Sequence, residues 1–74
     1  MRKVFVLRYK GPDIVEAFES CDDAMNAGVE FITDMGKANG LSEMKINEEV
    51  YEFVRFKDVE AVEFYCCKVK EARQ

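Results

Sequence analysis

The segment from Ser20 to Gly40 restricts the fold more than any other part of the chain. Ser20 can cap a helix, with Asp23 three residues later as an approximate capping-box partner. Asp22 and Asp23 fall in the first turn, where the helix dipole favours negative charge. At about 100° per residue, Ala24, Ala27, Gly28, Phe31, Ile32, Met35 and Ala38 share one arc. Asp23, Asn26, Glu30, Asp34 and Lys37 lie opposite, and Asn39-Gly40 supplies a stop. The spacing predicts a helix over 21–38.

Before that helix, "KVFVLRY" and "IVEAFE" are rich in β-branched and aromatic residues. They flank "KGPD", a turn signal holding the only proline, Pro12. This predicts a hairpin with strands near 2–10 and 13–19. After the helix, "SEMKI" and "EVYEFVRF" read as two strands joined around Asn47-Glu48.

In the last segment, helix and strand compete. As a strand, "VEFYCCKV" places Val62, Phe64 and Cys66 on one face and Glu63, Tyr65, Cys67 and Val69 on the other, a mediocre pattern. As a helix, Val59, Ala61, Val62, Tyr65, Cys66, Val69 and Ala72 form one continuous arc. Asp58 would then cap it, and Lys68, Lys70 and Arg73 would sit near its negative end. The sequence therefore favours a helix over 58–71.

Together these elements predict a small two-layer α/β domain of the α+β type. Its order would be strand-strand-helix-strand-strand-helix, with a mostly antiparallel sheet of three or four strands and both helices on one face. The order also suggests a weak internal duplication, 1–40 against 41–74. At 74 residues the chain is expected to be a single domain, 1–74, because smaller pieces could not each enclose a core.

Composition narrows the function classes. There are 15 acidic and 11 basic residues, net −4, a sign that disfavours general affinity for nucleic acid or anionic membrane. No apolar run is long enough for a signal peptide or a membrane span, so a cytoplasmic location is expected. The size and acidity suit a bacterial or phage accessory protein.

The three cysteines, with no histidine, offer no zinc-ligand spacing. On a helix, Cys66 would point into the apolar arc and Cys67 onto the polar side. Cys21 has Asp22 beside it, which opposes a thiolate. No metal, cofactor or structural disulfide is expected. Ser20, Ser42 and Thr33 are the only hydroxyl candidates, and no nucleophile or phosphate-loop motif accompanies them. No catalytic residue is assigned, and the chain is read as a non-enzyme.

Basic residues do alternate with aromatics in "RKVFVLRYK", and Arg55 and Lys57 flank Phe56. Such patterns can stack single-stranded bases, which makes a nucleic-acid-associated module the second reading and a small enzyme the third. The leading reading rests on surplus apolar surface. Val4 and Val6 alternate with Phe5, Leu7 and Tyr9, so the sheet is apolar on both faces while two helices cover only one. The chain is therefore expected to bind another protein or a second copy of itself, as an interaction or regulatory module. Tyr9, Tyr51, Phe53 and Phe64 are the candidate contacts, and Asp23, Glu30 and Asp34 form an acidic stripe that faces solvent or steers a basic partner.

Overall fold

A computed structural model of the chain describes residues 2–69. Its order is β1 (Arg2–Tyr9), β2 (Ile14–Phe18), α1 (Cys21–Ala38), α2 (Glu43–Phe56) and β3 (Val62–Val69). The three strands form one antiparallel sheet in the order β2-β1-β3, so the first strand is central.

The hairpin and first helix match the sequence expectation. In the turn between β1 and β2, Asp13 takes the left-handed conformation, φ 57°, which a short polar side chain tolerates better than most. The Ser20 hydroxyl accepts a hydrogen bond from the Asp23 backbone N–H at 3.3 Å, starting α1. At its other end Gly40, φ +72°, donates to the Lys37 carbonyl and Leu41 donates to that of Gly36, at 3.1 and 2.9 Å. These are the two reciprocal bonds of a Schellman cap.

The second half corrects the predicted order. Residues 42–56 are not two strands. Ser42 caps a single helix, its hydroxyl accepting from the Lys45 N–H at 3.2 Å. Ile46 and Phe53 are buried and Val50 half-buried, so burial follows a helical rather than a two-residue period. The aromatic and β-branched content of "EVYEFVRF" favours strand locally, but tertiary burial of one helix face wins.

The segment expected as the second helix is mainly β3. Residues 62–69 pair along β1 from Tyr9↔Val62 to Arg2↔Val69. Residues 70–73, which the expected helix also used, lie outside the described residues. Asp58 does not cap a helix: its carboxylate pairs with the Lys10 ammonium and its backbone bridges Glu63. Three backbone bonds fix the turn, Phe64 N–H to Lys57 O (2.8 Å), Val59 N–H to Val62 O (3.0 Å) and Lys10 N–H to Ala61 O (2.9 Å). The strand-strand-helix layout thus occurs only in the first half, and the second half runs helix then strand.

Leu7, Ile32, Phe53 and Val62 form the fully buried centre. It draws on β1, α1, α2 and β3 together, which places both helices on one side of the sheet. The helices run antiparallel, with Phe53 and Ile46 of α2 seated against Gly28 and Gly36 of α1. Among the described residues, no helix is long and apolar enough to cross a membrane.

Candidate protein-binding surface

Strand alternation and the two registers sort every sheet residue to a face. Phe5, Leu7, Tyr9, Phe18, Val62 and Phe64 face the helices. Val4, Val6, Arg8, Val15, Ala17, Glu63, Tyr65 and Cys67 face away from them. No element among the described residues covers that second face. Val15 is 56% and Tyr65 39% exposed, while Val6, between Ala17 and Tyr65 on the central strand, is shielded by its neighbours.

Arg8, on this face, is paired with two carboxylates. Arg8 Nε donates to Glu63 Oε1 at 3.1 Å, and Arg8 Nη1 lies 3.6 Å from Asp13 Oδ1. The hydrogen bond that Arg8 donates to Glu63 raises the Arg8 pKa most, against a smaller opposing effect of burial. The result is an apolar surface with its central cation already neutralised.

A second apolar surface lies on α2. Met44, Tyr51 and Phe56 are 74%, 61% and 63% exposed, on a shallow groove edged by Glu48 and Arg55. Arg55 Nη1 donates to the Tyr51 hydroxyl at 3.0 Å, and its guanidinium lies 5.4 Å from the Phe56 ring centroid.

The structure separates the residues expected to make contacts. Tyr51 is exposed on α2, and Asp23, Glu30 and Asp34 are exposed along α1. Phe53 is not a surface residue: it is fully buried, because the helical turn of α2 aims it at the core. Tyr9 and Phe64 are half-buried on the helix-covered face. The Tyr9 ring packs 4.7 Å from that of Phe31, and Phe64 stacks on Phe5 at 6.3 Å. The Tyr9 hydroxyl donates to Glu16 at 2.6 Å. Burial, then that bond and the charges of Glu16 and Glu30, push the Tyr9 pKa up to about 12.

The residues that do line the uncovered face, Val15, Ala17, Tyr65 and Cys67, were missed. Tyr65 and Cys67 become visible once 62–69 is read as a strand with apolar residues on both faces. The cysteine expectation also reverses, because on β3 Cys66 is exposed and Cys67 half-buried opposite Val4. All three thiols are free, and among the described residues no three Cys, Asp or Glu side chains gather to hold an ion.

Compared with protein-family models, with curated proteins and with solved structures, the chain shows no significant match.

Proposed function

We propose that the chain is a non-enzymatic interaction module that binds another protein through the uncovered face of its sheet. The observation that carries this reading is the surface of Val15, Ala17 and Tyr65, flanked by the half-buried Val4 and Cys67, opposite both helices. Each apolar side chain moved from water into an interface contributes about 1.5–3 kcal/mol when fully buried. A handful of such side chains is enough for specific binding if the partner is shaped to them.

The hydroxyl candidates support the non-enzymatic reading. Ser20 and Ser42 serve as helix caps, and Thr33 Oγ1 donates to the Val29 carbonyl at 2.9 Å. The nucleic-acid reading is weaker on this face, where Arg8 is tied to Glu63 and Asp13 rather than free for phosphate.

The test compares capture from host lysate by the wild type, Val15→Asp and Tyr65→Ala, with circular dichroism to check folding. A partner retained by the wild type in moderate salt and lost from both folded variants supports the reading. Retention by both variants refutes it. Tight, steeply salt-dependent binding of DNA or RNA replaces it with the nucleic-acid module.

A further inference from the structure

The outer side of α2 carries a seam that neither the core nor the sheet face uses. Phe53 and Ile46 point inward, and about 180° away Met44, Glu48, Tyr51 and Arg55 fall within a narrow stripe. Their spacing, four then three then four, is that of a coiled-coil seam. Two of these four side chains are large and largely apolar, and Phe56 extends the apolar surface at one end.

The charges along the stripe are ordered. Glu48 lies in its N-terminal half and Arg55 in its last turn, with Glu43 and Glu52 on the flanks of the same groove. Among the described residues, Glu48 has only a loose pair with Lys45, at 4.0 Å and largely exposed. A parallel pairing of two such helices would set Glu48 beside Glu48 and Arg55 beside Arg55. An antiparallel two-fold pairing brings Arg55 of each copy alongside Met44 and Glu48 of the other, with the two Tyr51 rings near the axis. It also opposes the helix dipoles favourably.

We propose that α2 pairs antiparallel with α2 of a second copy through Met44, Glu48, Tyr51 and Arg55. The dimer leaves both uncovered sheet faces free, so it presents two copies of the surface assigned above to a partner. A 14-residue helix is about 21 Å long, so the contact is small and the dimer weak.

A complementary charge swap tests the pairing by sedimentation equilibrium. Glu48→Arg alone and Arg55→Glu alone each create two like-charge contacts per dimer. Each should weaken association by about ten-fold or more. Mixed in equal amounts, they restore the opposite-charge contacts and should associate within about three-fold of the wild type. Met44→Lys, at a 74% exposed position, checks the same seam without touching the Arg55–Tyr51 bond and should also weaken association. Val15→Asp, on the sheet face, should leave the dimer unchanged. A wild type that stays monomeric to millimolar concentration overturns the proposal. So does a mixture no tighter than its components, or a dimer lost on Val15→Asp.

Discussion

The ring of Phe53 lies so close to the α-carbon of Gly28 that a methyl group there would come within 2.4 Å of ring Cζ. Glycine at 28 is thus a condition of the α1–α2 contact, because it lets the ring pass against bare backbone and reach Leu7 and Val62. Gly28→Ala is expected to cost about 1–3 kcal/mol through overpacking, measured by urea unfolding. Phe53→Ala should cost about 3–5 kcal/mol, a large part of the roughly 4–11 kcal/mol expected for a chain of this size. The double variant should lose less than the sum, because the new methyl enters the space the ring leaves.

Lys57 ends α2 in the left-handed conformation at φ 65°, with its N–H donating to the Phe53 carbonyl at 2.8 Å. An L side chain pays for that backbone geometry, and glycine does not. Lys57→Gly should therefore stabilise the fold by about 0.5–1 kcal/mol in thermal or urea unfolding, less whatever the Lys57 ammonium bond to the Val54 carbonyl contributes.

Tyr9 links stability to alkaline pH. Its folded-state pKa, about 12, lies above the ordinary 10.0, so folding favours the neutral phenol. That contribution is complete below pH 10 and is lost as pH rises from 10 towards 12, because the unfolded chain ionises first. The wild type should show a late tyrosinate absorbance step that is missing from Tyr9→Phe. Stability of the variant should fall less over the same pH window.

The two adjacent cysteines should behave unlike each other. Cys66 is exposed on the helix side of β3 and Cys67 half-buried opposite Val4. A thiol reagent followed by peptide mass spectrometry should therefore modify Cys66 before Cys67 in the native protein, and both alike after unfolding. Cys66→Ser should change stability within about 0.5 kcal/mol. Cys67→Ser should cost about 1 kcal/mol, through a hydroxyl set against apolar neighbours.

Legibility in the sequence followed how strongly local chemistry agreed with tertiary packing. The first helix was readable at both ends because Ser20 and Asn39-Gly40 are caps whose bonds form within a few residues. The second was hidden because Val50, Tyr51, Phe53, Val54 and Phe56 are strand-favouring residues. Only the 46-50-53 burial period and the Ser42 cap mark it as a helix. Residues 62–69 misled in the opposite direction. One face of β3 meets the core, and the other carries Tyr65 and Cys67 beside Glu63 yet is uncovered, so the strand lacks the clean polar alternation that identifies a half-buried strand. The feature that obscured the element is the one that makes the candidate surface.

Because β1 lies between β2 and β3, its two flanks are completed on different terms. Pairing with β2 closes a four-residue turn from Tyr9 to Ile14, whereas pairing with β3 joins Arg2 to Val69 across nearly the whole chain. Loop-closure entropy rises with the length enclosed, and non-local strand pairing slows folding. The hairpin and the antiparallel helix pair are each local in sequence. The central strand thus gains its β2 flank by a local step and its β3 flank only by a non-local one. Pairing β3 with β1 is therefore expected to be the latest strand contact to form, read as lower φ-values in β3 than in the β1–β2 hairpin.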